Sequence, residues 1–180
     1  GSKAGSVTDD FSLIYYTARA IVKNGGVIDD SAAQQAVLDW AEDETFFDQY
    51  AGPTTRAAVD RMKGRQVENY YDFIVCDNAK ASNGSAMKIS PAGLMNPGAV
   101  DKAIDDAITL CRPTHNNNLS IAGACAIAAA VARAMADGAD VYAIVQAGLY
   151  GAREGLRRTK GDCAVLAGPS LDKRICLAVD

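Results

Sequence analysis

Apolar residues recur at spacings of three and four along Phe11, Ile14, Tyr15, Ala18 and Val22, the period of an amphipathic helix with one buried face. Thr8 stands where such a helix needs an N-cap, Asp9 and Asp10 fall in its first turn, and Asn24-Gly25-Gly26 supplies a left-handed stop. The same period, broken by short polar or glycine-rich punctuation, predicts further helices over roughly 30–41, 54–63, 98–111, 118–137, 139–157 and 169–180, with Asp30 capping the first of these. Leu119 to Ala136 is apolar, but it is mostly alanine and contains Gly123, Cys125 and Arg133. It is scarcely long enough to cross hydrocarbon. A buried central helix is expected instead, because small side chains let neighbouring backbones come close. The best strand candidate, Tyr70 to Cys76, is short and has no partner to satisfy its backbone groups. An all-α domain follows.

Composition narrows the function classes. The chain has 180 residues, 49% of them hydrophobic, enough for one domain with a real core. Its net charge of −4 lacks the long-range attraction on which a nucleic-acid backbone binder depends, while a small anion needs only local donors. Cys76, Cys111, Cys125, Cys163 and Cys176 form no CxxC pair, and an odd, scattered set predicts reduced thiols and a cytoplasmic location. The opening residues lack the apolar run of a secretory leader. Neither nucleic acid nor a membrane is an expected partner.

Three segments carry candidate chemistry. In Ser6-Val7-Thr8-Asp9-Asp10-Phe11 a hydroxyl and two carboxylates meet at one helix start. Capping and complementing the helix dipole account for them fully; adjacent carboxylates that reach different sides of one or two hard cations account for them equally in kind. In Ala79 to Lys88, Gly84 permits unusual backbone, and Ser82, Asn83 and Ser85 offer donors, either a plain Asn-Gly turn or a cradle for a phosphate or ribose. Arg112-Pro113-Thr114-His115-Asn116-Asn117-Asn118 is expected to be a loop between two helices and holds the single histidine. Its buried donors would each need a partner.

The order of these segments is more specific than any one of them. Thr-Asp-Asp at Thr8, Asp9 and Asp10 is followed by Gly52-Pro53-Thr54-Thr55-Arg56, then Ser82 to Lys88 ahead of Ser90-Pro91-Ala92-Gly93-Leu94, then Thr114-His115-Asn116, then Gly168-Pro169-Ser170 and Arg174-Ile175. That series, spanning essentially the whole chain, resembles the ADP-ribosylglycohydrolase family. The resemblance implies a compact multi-helix orthogonal bundle and a hydrolase that cleaves the N- or O-glycosidic bond at the anomeric carbon of ADP-ribose, on a protein side chain or a small molecule. It also implies one or two magnesium ions, with manganese as a substitute, held by Thr8, Asp9 and Asp10. Ser82, Asn83, Gly84, Ser85, Met87 and His115 inherit the role of binding substrate, and ADP-ribose or an ADP-ribosylated protein is the implied partner.

The sequence departs from the family pattern in four places. Phe11 follows Thr-Asp-Asp where another Thr is usual, and Lys88 stands where many members carry Arg, a point charge in place of a planar fork that would loosen its hold on a carboxylate or phosphate. A Gly-rich helix with an acidic residue ahead of Thr-Asp-Asp, where the catalytic acid is expected, and a closing Gly-Gly-Asp-x-Asp-Thr segment are both missing. We therefore expect part of a longer fold, with weakened metal binding in isolation and apolar faces that favour self-association. A non-catalytic scaffold of the family and a hydrolase of another ribosyl compound such as a nucleoside stay open. Asp39, Glu42, Asp43, Glu44 and Asp48 are expected to be a solvated acidic face, not a grip on a cationic leaving group. The basic residues of Arg153 to Lys160 are expected to complement a helix end and hold no phosphate.

Overall fold

The structure, a computed structural model, describes residues 4–66 and 81–179. These are built from helices α1 (Asp9–Lys23), α2 (Asp30–Ala41), α3 (Glu44–Tyr50), α4 (Pro53–Met62), α5 (Ser90–Leu94), α6 (Val100–His115), α7 (Asn118–Ala134), α8 (Val141–Arg158) and α9 (Leu171–Val179), with a 3₁₀ turn over Ala86–Lys88. Among the described residues there is no strand, only an isolated parallel bridge between Asn117 and Ala164. The all-α class is confirmed. The strand candidate Tyr70 to Cys76 lies outside the described residues. No described helix is long and apolar enough to cross a membrane.

The helix ends follow the local chemistry closely. Gly25 and Gly26 adopt φ of +68° and +84°, and the Gly26 and Gly25 N–H groups return to the carbonyls of Ile21 and Val22 at 2.9 and 3.1 Å, a Schellman closure of α1. Asp29, one residue before the expected Asp30, caps α2 by accepting from the Ala32 N–H at 2.8 Å. Asn117 and Asp140 cap α7 and α8 in the same way. α6 runs on past the expected end at residue 111 to His115. Pro113 sits in its final turns, where the missing proline N–H deprives only the Thr109 carbonyl of a helical partner. His115 is thus a helix residue, not part of a loop.

α7 is the hub of the bundle, touched by α5, α6, α8, α9 and the 3₁₀ turn, while α1 and α2 pair and lean on α6 and α5. Ala122, Ala124, Cys125, Ala128, Ala129 and Ala132 are wholly inaccessible, so α7 is buried on several sides, as its composition predicts. Glycines of the neighbours set the spacing. A Cβ on Gly93 of α5 would fall 2.7 Å from the Ala128 carbonyl oxygen, and one on Gly155 of α8 would fall 2.8 Å from Cys125 Sγ. At Gly151 it would run into the Cys125 carbonyl and lie 2.6 Å from Ala129 Cβ. Gly148, one turn earlier, has only ordinary contacts, the nearest at 3.5 Å.

This contrast predicts opposite outcomes for two similar changes. Gly151→Ala should lower stability by about 1–3 kcal/mol, because backbone has to move, whereas Gly148→Ala should be neutral or mildly stabilising through helix propensity. Thermal unfolding of the two variants measures the difference, and equal melting temperatures would refute the close approach of α7 and α8.

Candidate active site

Four pieces of chain converge on a cleft of about 210 Å³. The first turn of α1 brings Asp9, the turn between α3 and α4 brings Tyr50 to Thr55, the approach to the 3₁₀ turn brings Ser82, Asn83, Gly84 and Met87, and the end of α6 brings His115. Leu13 and Trp40 close its floor. Trp40 is 1% exposed, and its indole Nε1–H donates to Ser12 Oγ at 3.0 Å. That bond pins α2 to the opening of α1, beside Asp9.

The corner at Thr8 is not a simple cap. Thr8 occupies the N-cap position with extended backbone, yet its side chain caps no helix N–H. The hydroxyl donates instead to Asp10 Oδ2 at 3.1 Å. Asp9 is half-buried and faces the cleft, whereas Thr8 and Asp10 are exposed at its edge and do not line it.

The opposite wall is set in the core. His115 is 2% exposed; its Nε2 lies 2.9 Å from Ser82 Oγ and its Nδ1 2.8 Å from Thr114 Oγ1. The ring lies close against Gly84, where a Cβ would sit 2.7 Å from the imidazole Cε1, so glycine at this position is needed for space. Burial, reinforced by the nearby Lys88 charge, pushes the imidazole down to about 3. Asn117 and Asn118 complete the support. Asn117 Oδ1 accepts from the Ser120 N–H, and the Asn118 side chain receives the Leu166 N–H while donating to the Leu166 carbonyl.

Asp9, Ser82, Asn83, Gly84, Met87 and His115 therefore come together, whereas Ser85 does not join them. Ser85 is wholly buried and donates to the Ser120 carbonyl at 2.9 Å on the far side of the turn. Lys88 departs from expectation as well. It is 3% exposed, donates to Thr114 Oγ1 at 3.1 Å, and is pulled down to about 8 by burial, so it grips a core hydroxyl and no ligand in the cleft.

The rim at Tyr50 to Thr55 and the Trp40 floor received no role from sequence. Their signal is that of a turn and of a core aromatic. Arg56 holds the rim in shape: its guanidinium donates to the carbonyls of Ala51, Phe47 and Asp48 at 2.9–3.0 Å and stacks over Phe47 at 4.9 Å. None of Asp39, Glu42, Asp43, Glu44 and Asp48 lines the cleft. Asp39 pairs with Lys23, Glu42 with Lys63, and Asp43 accepts from Tyr16. At the far end Arg158 pairs with Asp101, Asp105 and Glu154, Arg157 with Glu154, and Arg153 with Asp172, so the three arginines of that segment are engaged in ion pairs.

Residues 1–175 match the family model described as ADP-ribosylglycohydrolase. The chain belongs to the ADP-ribosylglycohydrolase family. It is 36% identical over 141 residues to the uncharacterized protein YegU of Escherichia coli (strain K12), a match that takes in 77% of this chain and 40% of that protein. The chain thus spans well under two thirds of the curated relative's length. No solved structure matches it significantly.

Membership of a hydrolase family raises the question of whether these residues suit a hard cation. Thr8, Asp9 and Asp10 offer hard oxygens, the donor type a magnesium ion takes. They fit in kind. In number they are few: among the described residues no three His, Cys, Asp or Glu side chains gather as a metal site.

His115 makes a prediction that needs no ligand. Its folded-state affinity for a proton lies below its unfolded value, so its stabilising contribution is present above about pH 6.5 and is lost as pH falls towards 3, where only the unfolded chain takes up the proton. Denaturant unfolding of the wild type and His115→Gln should show the gap between them shrinking by about 2 kcal/mol from pH 6.5 to 4.5. Parallel curves would mean that the imidazole titrates normally.

Proposed function

We propose that the cleft binds ADP-ribose and belongs to a metal-dependent hydrolase that cleaves the glycosidic bond linking ADP-ribose to a protein side chain or a small molecule. The observation that carries this reading is the meeting of Asp9 with the Ser82-Asn83-Gly84 turn and His115 around one cleft, because these three segments lie far apart in the chain and were expected at one site, Asp9 for a metal and the other two for substrate. Thr8, Asp9 and Asp10 would hold magnesium, with manganese as a substitute. When bound, the cation would supply Lewis-acid stabilisation of charge at the ribose hydroxyls as the bond breaks.

The chain's own residues divide the remaining work. Asn83 and Ser82 present polar side chains to the cleft from a turn that carries no negative charge, which suits the diphosphate. His115 is neutral at physiological pH, so it serves as a hydrogen-bonding wall and not as a cation. Trp40, Leu13 and Met87 supply the apolar floor, excluding water from one side and strengthening every polar contact above it. Among the described residues that line the cleft, Asp9 is the single carboxylate. A second reading, a non-catalytic relative that keeps the ligand cleft, is favoured by the small number of metal donors among the described residues.

Calorimetric titration separates the two. Magnesium together with ADP-ribose should bind and raise the melting temperature, and Asp9→Asn and Asp10→Asn should each weaken binding about tenfold or more. ADP-ribose binding that is indifferent to magnesium and to both substitutions would establish the non-catalytic reading, and no binding of either would refute the cleft assignment.

A further inference from the structure

A buried chain of hydrogen bonds runs from Lys88 through Thr114 and His115 to Ser82 at the cleft. Lys88 Nζ lies 3.1 Å from Thr114 Oγ1, Thr114 Oγ1 lies 2.8 Å from His115 Nδ1, and His115 Nε2 lies 2.9 Å from Ser82 Oγ. Lys88, Thr114 and His115 are exposed by only 3%, 6% and 2%. An ammonium group has donors and no acceptor, a hydroxyl has a single proton, and a neutral imidazole has one donor nitrogen and one acceptor nitrogen. The direction of the whole chain therefore depends on its first member.

We propose that Lys88 is a positioning residue: by donating to Thr114 it orients the Thr114 hydroxyl towards His115 Nδ1, holds the imidazole in its Nε2–H form, and leaves the Ser82 hydroxyl proton free to serve an anionic ligand. The steps follow in order. Thr114 Oγ1 accepts from Lys88 and gives its own proton to Nδ1, which must then be the acceptor. Nε2 carries the ring proton and donates to Ser82 Oγ. That oxygen also receives the Gly84 N–H at 3.3 Å, so both of its lone-pair directions are taken and its proton is left to point elsewhere. In the reverse arrangement, with a proton on Nδ1, Thr114 Oγ1 would accept twice and its own proton would need another acceptor in a buried place, which costs free energy. Ser82 would then spend its proton on Nε2 and offer nothing to the cleft.

The consequence for ligand chemistry is specific. A seryl donor beside Asn83 suits a phosphate oxygen or a ribose hydroxyl, the shared chemistry of the ADP-ribose assigned above, and in this respect the inference rests on that reading. The tautomer does not. It is a property of the free protein, so the two ideas fail separately.

His115 is the single histidine of the chain, so long-range ¹H–¹⁵N correlation spectra of the ¹⁵N-labelled protein near pH 7 report its tautomer without assignment. The wild type and Lys88→Arg should both show the Nε2–H form. Lys88→Met, which removes the obligate donor, and Thr114→Val, which removes the relay and serves as the second variant should Lys88→Met fold poorly, should each show a measurable Nδ1–H population. A wild type with the proton on Nδ1, or spectra unchanged in both variants, overturns the relay. Ser82→Ala should retain the wild-type tautomer and weaken ADP-ribose binding about tenfold. Undiminished affinity in that variant overturns the donor role of Ser82, whereas absence of ADP-ribose binding in the wild type overturns only the assignment of the ligand.

Discussion

Everything in this fold depends on how closely helices can approach α7. Alanines and a buried cysteine present so little side chain that the backbones of α5 and α8 come to within contact of it through Gly93, Gly151 and Gly155. Such packing gains dispersion contacts over long lengths of helix, and it leaves little slack: a methyl group at Gly93 or Gly151 meets carbonyl oxygen, which has no rotamer to escape into, and one at Gly155 meets the Cys125 side chain. The benefit is positional. α7 starts at Asn118, three residues beyond His115, so the rigidity of the hub passes directly to the cleft wall.

The connection between them is polar. The segment after α6 has to turn, and a turn in the interior leaves N–H and C=O groups to be satisfied. Asn117 caps α7, Asn118 grips Leu166 in both directions, and the Ala164 backbone pairs with Asn116 and Asn118 at 3.1 and 3.0 Å. Asn117 and Asn118 at such a turn are explained by this accounting, whereas Asn116 enters it only through its carbonyl. His115 inherits an orientation set by groups that never touch a ligand.

Much of this was legible in the sequence. α1, α2, α4 and α6 to α9 all showed as periodic apolar positions, because each lays one face or more on its neighbours. α3 and α5 did not: Glu44–Tyr50 has seven residues and Ser90–Leu94 five, too few for either to display a period. Pro113 hid the true end of α6, since proline is expected to stop a helix and here it merely occupies a place near the end where little is lost. Asp9, Asn83 and His115, which line the cleft, were singled out by the order of motifs. Trp40 was not, because a tryptophan in an apolar stripe looks the same whether or not it borders a cleft, and Gly52 to Thr55 stood in that order without a role attached. Lys88 misled for a related reason: charge suggests a ligand, and only the fold shows it enclosed and bonded to Thr114.

The cleft has two unlike banks. Gly84 and His115 rest on the closely packed centre of the bundle, while the facing bank hangs from α3, a helix that buries none of its side chains and is gripped at its end by the Arg56 guanidinium. A change of side-chain bulk at Tyr50 to Thr55 thus disturbs less packing than one beside His115, so the width of the cleft is more freely altered from the outer bank.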